Sequence, residues 1–132
     1  MTSRSKSKHE TLTDLEFKII NKLWDLGGGT VREVVDAQDE KPPLAYTTVA
    51  TVLKILEDKG FVRSNKKGRV LVYTAKLKRQ SYQARSLRDM VDRVFSGDAL
   101  SLVTRLIDTQ PMTDDDLQRL RALINQEEAS HD

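Results

Sequence analysis

The 132-residue sequence contains no cysteine, few aromatic residues and no long hydrophobic run. Without cysteine, disulfides and thiolate metal sites are excluded. The two histidines, His9 and His131, lie near opposite ends, so a structural zinc site with four nitrogen or sulfur ligands cannot form. We therefore expect no metal and no cofactor. Because no apolar stretch is long enough to span a bilayer and no secretory leader opens the sequence, we expect a cytoplasmic protein without membrane insertion.

The charges are nearly balanced overall, with a net charge of +2, but they are unevenly distributed. Eight basic residues and no acidic residue occur in one stretch, at Lys59, Arg63, Lys66, Lys67, Arg69, Lys76, Lys78 and Arg79. Such a stretch is typical either of a surface that binds a polyanion or of an ordinary solvated hairpin. Residues 1–11 are interpreted as a flexible basic arm, which either contacts phosphates or is an idle tail.

Two capping boxes predict the first two helices. Thr13 with Glu16, and Thr30 with Glu33, have the spacing at which side chain and backbone satisfy each other's hydrogen bonds. Apolar residues recur at helical spacing after the first box, at Phe17, Ile20, Leu23 and Trp24. Glycines 27–29 end that helix, and a second short helix follows.

The sequence predicts a third helix from Ala45 to Lys59 and then a hairpin. Its apolar stripe consists of Val49, Val52, Leu53 and Leu56, and its opposite face begins with Tyr46, Thr47, Thr48 and Thr51. The hairpin is predicted over residues 61–66 and 69–74, with Lys67-Gly68 as the turn, because glycine readily adopts the positive φ that a tight turn requires.

Helical periodicity returns at residue 78. Ser96-Gly97 and Pro111 divide the remaining sequence into three helices, and Thr113 is predicted to cap the last of them. Residues 114–116 are three consecutive aspartates, which we interpret as favourable charge at a helix N-terminus rather than as a catalytic cluster. No catalytic triad, phosphate-binding glycine loop or metal-ligand spacing is present, so we do not expect an enzyme.

Three helices followed by a basic hairpin are typical of a winged helix-turn-helix. We predict an α+β, mainly α chain with a winged domain at residues 12–77 and a C-terminal helical dimerisation domain at residues 78–132. In such domains the second helix of the helix-turn-helix contacts base edges in the major groove. The predicted DNA contacts are Thr30, Arg32, Tyr46, Thr47, Thr48, Thr51, Lys54, Lys66, Lys67 and Arg69.

Each part of that prediction has a plainer alternative. Thr47 or Thr48 could cap the third helix instead of contacting DNA, and the charges of the hairpin could protect an edge strand from aggregation. The winged domain could also be a protein-interaction module that never binds DNA.

The C-terminal helices predict a homodimer, since a domain of about 65 residues is only marginally stable alone and three amphipathic helices cannot enclose their own apolar faces. The alternative is a monomer whose long helix folds back on the winged domain. The predicted interface residues are Tyr82, Leu87, Met90, Val91, Val94, Phe95, Leu102, Val103, Leu106, Leu117, Leu120 and Ile124.

These segments resemble a known family. The run from Leu12 to Glu16, Trp24 and the run from Thr30 to Val34 are similar to the opening of the penicillinase-repressor family of BlaI/MecI/CopY type. Residues 45–53 with Leu56 and Lys59-Gly60 resemble its recognition helix, and residues 68–73 resemble its wing. The resemblance extends from residue 12 to about residue 125.

The resemblance implies a dimeric transcriptional repressor that binds a palindromic promoter operator. In the antibiotic-response members, a membrane-embedded sensor metalloprotease causes cleavage in the C-terminal region. The corresponding bond here falls near Arg105-Leu106, whereas those members carry an Asn-Phe type bond. The copper-responsive members carry a C-terminal cysteine motif, which this chain lacks.

Overall fold

The computed structural model describes residues 11–130, and most of the predicted basic arm lies outside that range. The elements are α1 (Asp14–Leu26), α2 (Val31–Asp36), α3 (Tyr46–Asp58), β1 (Val62–Lys67), β2 (Val70–Ala75), α4 (Arg79–Val94), α5 (Ala99–Thr109) and α6 (Asp114–Ser130). The predicted order of three helices, a hairpin and three further helices is confirmed, as is the α+β, mainly α fold class.

Reciprocal capping boxes start α1 and α2, as predicted. The Thr13 hydroxyl accepts a hydrogen bond from the Glu16 backbone at 3.1 Å, and the Glu16 carboxylate accepts one from the Thr13 backbone at 2.9 Å. The corresponding distances for Thr30 and Glu33 are 3.1 and 2.8 Å. α1 ends at Gly27 with φ +75°, a left-handed conformation that favours glycine at a helix end.

The core lies between α1, α2, α3 and the base of the hairpin. The predicted stripe of α3 is buried in full, at Val49, Val52, Leu53 and Leu56. Against it pack Ile19, Ile20 and Leu23 of α1 and Val31 and Val34 of α2. Phe17, expected on the apolar face of the first helix, is instead 40% exposed, while Ile19 is fully buried.

The hairpin is antiparallel, and Lys67 pairs with Val70. Its two-residue turn is therefore Gly68-Arg69, one residue later than the predicted Lys67-Gly68. Gly68 still has the positive φ, at +62°. The hairpin is also joined to the segment before α2, because the backbone N–H of Gly29 donates to Tyr73 O at 2.9 Å and that of Tyr73 donates to Gly29 O at 2.8 Å.

An aromatic cluster holds the start of α4 against α1. The ring of Phe17 lies 6.0 Å from that of Tyr82 and 6.1 Å from that of Trp24. The Tyr82 hydroxyl accepts a hydrogen bond from the Leu12 backbone at 3.2 Å, and the Trp24 indole donates to Leu77 O at 2.8 Å. The first turns of α4 thus pack with the winged elements.

The chain divides into two compact units, one ending at Leu87 and one beginning at Arg88. In the second unit, the predicted break at Ser96-Gly97 is present, with φ values of +53° and +81°. Thr113 and Asp116 make reciprocal hydrogen bonds of 3.0 Å that start α6. The domain bounds 12–77 and 78–132 stay a prediction. None of the described helices is both long and apolar enough to cross a membrane.

Candidate nucleic-acid interface

The outward face of α3 is formed by Thr47, Thr51 and Lys54. At about 100° per residue, these positions lie opposite the buried stripe. All three side chains are exposed, whereas Thr48 is half-buried. The structure thus brings the predicted threonines together on one helix, with Thr47 and Thr51 furthest from the core.

Two concave surfaces flank this outward face. The wing groove, of about 370 Å³, lies between the helices and the hairpin and is lined by Thr30, Val31, Arg32, Tyr46, Ala50, Arg69, Val70, Leu71 and Tyr73. The threonine hollow, of about 350 Å³, lies between α3 and the start of α1 and is lined by Leu15, Thr47, Thr48, Thr51, Val52 and Ile55. Apart from Lys54, which lines neither surface, the predicted DNA contacts of the helices are therefore distributed over two distinct surfaces.

Two guanidinium groups line the wing groove, from Arg32 and Arg69. Arg32 lies over the ring of Tyr46 at 5.1 Å from its centroid and 3.7 Å from the Asp36 carboxylate. The ring contact and the ion pair together orient an otherwise exposed side chain. A guanidinium held in this way can bind a phosphate through two donors.

The tip of the hairpin carries Lys66, Lys67 and Arg69, and all three side chains are exposed. None of them forms an ion pair with an acidic residue within 11–130. The predicted basic wing therefore presents uncompensated positive charge to solvent, which suits a phosphate backbone.

Two of the eight cations in the basic stretch have an intramolecular role instead. Lys59 lies 2.8 Å from the Glu16 carboxylate, and Arg79 lies 2.7 Å from Asp25 and 5.2 Å from the centroid of the Trp24 ring. The hydrogen bond from Arg79 lowers the pKa of Asp25. The polyanion signal in the sequence therefore rests on six exposed cations rather than eight.

The start of α3 differs from the starts of α1 and α2. Its N-cap is Ala45, which offers no side-chain acceptor, and its first turn contains no acidic residue. The geometry therefore does not favour the alternative in which Thr47 or Thr48 caps this helix. The backbone N–H groups of the first turn lack a side-chain acceptor, so they can bind an anion.

Two features of this region could not be predicted from the sequence. Leu15, on the first turn of α1, lines the threonine hollow and is 37% exposed. Arg32 and Tyr46, both predicted as DNA contacts, also contact each other. An apolar residue beside a capping box is a weak signal for such a position, and no sequence pattern indicates the arginine–tyrosine contact.

The predicted interface residues have very different environments. Those exposed by more than a third of their area are Leu87, Met90, Val94, Val103, Leu106 and Ile124. Those partly covered are Val91, Phe95, Leu102, Leu117 and Leu120. Tyr82 belongs to the aromatic cluster on α1. Three further apolar residues of α5 and α6 are exposed although they are not among the predicted interface residues: Leu100, Ile107 and Leu123.

The Arg105-Leu106 bond lies inside α5, and both residues are exposed. Arg105 also lies 3.2 Å from Asp108. Cleavage at this bond stays a prediction. No group of three or more acidic or histidine side chains in the described part of the chain is placed to hold a metal ion.

Comparisons with known proteins give consistent results. The chain matches the penicillinase repressor family over residues 12–126. It is 18% identical over 119 residues to the methicillin resistance regulatory protein MecI of Staphylococcus aureus (strain N315), covering 90% of this chain and 97% of that protein. It is 21% identical over 115 residues to the penicillinase repressor of Bacillus licheniformis, covering 87% and 90%.

Among solved structures, the DNA-binding domain of the repressor BlaI is similar, with 26% identity and a TM-score of 0.49 over 58% of this chain and 93% of that one. The family match spans the winged unit and most of the C-terminal helices. The chain therefore belongs to the penicillinase repressor family, a family of DNA-binding transcriptional repressors and not of enzymes.

Proposed function

We propose that this chain acts in the cytoplasm as a homodimer that binds a palindromic promoter operator and thereby represses transcription. The observation that carries the proposal is the outward face of α3. It combines exposed Thr47, Thr51 and Lys54 with an uncapped helix start, and an unpaired basic hairpin lies on the same unit.

In the proposed complex, α3 lies in the major groove and the hairpin contacts the flanking backbone. A helix of about 10–12 Å diameter fits that groove. The N–H groups at the start of α3 and the guanidinium of Arg32 bind phosphates, which fixes the register of the helix. Lys66, Lys67 and Arg69 extend those phosphate contacts along the duplex.

The proposal of a homodimer is supported by the exposed apolar surface of the second unit. No side chain of α5 or α6 is buried. Leu100 is 73% exposed, Leu123 is 61% exposed and Val94 is 62% exposed. Apolar surface on this scale is stabilised by a second copy of the chain, and a two-fold dimer presents two α3 helices to two half-sites.

The family resemblance adds a proposed mode of inactivation. Cleavage near Arg105-Leu106, triggered by a membrane sensor metalloprotease, would divide the apolar stripe of α5 and weaken the dimer. The expected evidence is a fragment that ends at Arg105, detected by mass spectrometry after induction. A chain that stays intact while repression is lifted would exclude this step.

The function is tested by selecting fragments of the source genome that the full-length protein retains and measuring their affinity at several salt concentrations. A shared palindrome upstream of a gene is expected. If 6–10 phosphates are contacted, affinity should fall by about 10³–10⁵ between 50 and 200 mM salt. Retention of a protein partner, with no duplex bound at 50 mM salt, would instead identify a protein-interaction module.

A further inference from the structure

We propose that the threonine hollow recognises the 5-methyl groups of thymine in the major groove. This inference rests on the proposed function, because it requires α3 to lie in that groove. It assigns a role in sequence recognition to Leu15, a residue of α1 that lies outside the helix-turn-helix pair.

The lining of the hollow is apolar at its surface. Its side chains are two exposed aliphatic residues, one valine and three threonines, and none of them carries a charge. Leu15 is 37% exposed and Ile55 is 39% exposed, although both belong to helices that bury their other faces. The threonines add further methyl groups, so most of the surface consists of carbon atoms that water solvates poorly.

Only one group on the base edges of the major groove is apolar, and it is the 5-methyl group of thymine. Guanine and adenine present hydrogen-bond acceptors there, and cytosine presents an amino group. An uncharged apolar hollow on the face of the reading helix therefore complements thymine better than any other base.

The residues of α3 also argue against the other base contacts. Guanine is usually recognised by arginine or lysine, adenine by asparagine or glutamine, and cytosine by an acidic side chain. α3 contains no arginine, asparagine or glutamine, and its one lysine, Lys54, pairs with the carboxylate of Asp58 on the same helix. Its acidic residues are engaged, since Glu57 accepts a hydrogen bond from Ser64 at 2.7 Å and Asp58 lies 3.5 Å from Lys54. Thymine methyl groups and threonine hydroxyls thus account for most of the recognition that α3 can provide.

The test compares the selected operator with the same duplex in which every thymine is replaced by uracil, using the full-length protein. Uracil pairs as thymine does but lacks the 5-methyl group. Burial of one methyl-sized group changes a binding constant by about four-fold. We expect binding of the uracil duplex to be weaker by about that factor for each methyl group contacted.

Binding of both duplexes by two single variants of the protein assigns the effect to the hollow. L15A should weaken binding of the thymine duplex but leave binding of the uracil duplex nearly unchanged. L26A is the matched control, because Leu26 lies on the same helix, is 42% exposed and does not line the hollow. It should change neither affinity.

Equal affinity for the thymine and uracil duplexes overturns the inference while leaving the proposed function intact. So does an equal loss for both duplexes in L15A, since that pattern indicates a structural role. A protein that binds neither duplex contradicts the proposed function itself, and the inference with it.

Discussion

The carboxylate of Glu16 lies 2.8 Å from the ammonium group of Lys59, and this ion pair joins the first turn of α1 to the C-cap residue of α3. Only 7% of the Glu16 side chain is exposed. Burial by itself would raise the pKa of Glu16, but hydrogen bonds from Lys59 and from the Thr13 backbone outweigh it, so the pKa is lowered. The same carboxylate thus caps the start of α1 and holds the C-terminal end of α3 against it.

We expect E16Q to destabilise the protein by about 1–3 kcal/mol, because it keeps the capping hydrogen bond but removes the charge that Lys59 contacts. A lowered folded-state pKa stabilises the protein above the unfolded value of 4.5, and this contribution is lost as the pH falls through the folded value. The difference between wild type and E16Q should therefore shrink on acidification. Urea unfolding at several pH values measures it.

E33Q provides the matched control for that experiment. Glu33 occupies the same position in the second capping box, but it is exposed and makes no ion pair with the described residues. We expect the free energy of unfolding of E33Q to be within about 0.5 kcal/mol of that of the wild type. An equal loss in both variants would show that the carboxylate charge at the helix N-terminus, rather than the ion pair, accounts for the effect.

Tyr82 offers a test of the aromatic cluster. Y82F keeps the ring against Phe17 but removes the hydroxyl that accepts from the Leu12 backbone, so we expect a loss of about 0.5–1.5 kcal/mol. Y46F is the control, since Tyr46 is 46% exposed and no hydrogen bond to its hydroxyl occurs within residues 11–130. Thermal unfolding distinguishes them. No difference between the two variants would argue against the Leu12 contact.

Adjacent glycines after α1 should respond differently to alanine. A Cβ atom on Gly28, where φ is +115°, would lie 2.9 Å from Thr74 Cγ2 and 3.2 Å from Tyr73 O, whereas one on Gly27 would meet nothing within 4 Å. We expect G27A to cost about 1–2 kcal/mol through its left-handed φ alone. G28A should cost more than that. Denaturant unfolding midpoints compare the stability of the two variants. Equal losses of stability would show that the hairpin moves away from the added methyl group at little cost.

The hairpin tip should contribute to affinity without contributing to sequence preference. K67A is expected to weaken all duplexes alike and to reduce the slope of log affinity against log salt by about 0.9, as one phosphate contact is lost. R121A removes one exposed cation from α6 instead and should leave the slope unchanged. Fluorescence anisotropy titrations give both slopes. If R121A lowers the slope as much as K67A does, the effect reflects the net charge of the protein and not a phosphate contact of Lys67.

Replacement of Leu106 by lysine tests the proposed dimer. Leu106 is 43% exposed on the apolar stripe of α5, and a buried ammonium group at that position should raise the dimer dissociation constant at least about ten-fold. D108K places the same side chain on the polar face of α5 and should have little effect. Sedimentation equilibrium distinguishes the two. A wild-type chain that sediments as a monomer would refute the proposal.

Local features of this fold could be predicted from the sequence. Capping boxes and the α3 stripe require only neighbours within four residues, so their helices were predicted with nearly correct bounds. The turn was misplaced by one residue, because Lys67-Gly68 and Gly68-Arg69 both allow glycine the positive φ, and only the strand register decides between them.

Contacts between distant segments could not be predicted. Lys59 and Arg79 are part of a basic run in the sequence, but their partners, Glu16 and Asp25, are more than 40 residues away. Leu15 likewise lines the threonine hollow only because the first turn of α1 lies beside α3. Periodicity places a residue on a face of its helix, but the packing of one helix on another determines what that face meets.

The paired backbone hydrogen bonds between Gly29 and Tyr73 tie the root of the hairpin to the segment before α2, so we expect the root to be stiffer than the tip. Amide protons near this bridge should exchange slowly with solvent, while those beside Gly68 and Arg69 should exchange quickly. In the proposed complex, we expect such a wing to adjust to the local width of a groove by bending at its tip, while its root stays fixed to the segment that leads into α2.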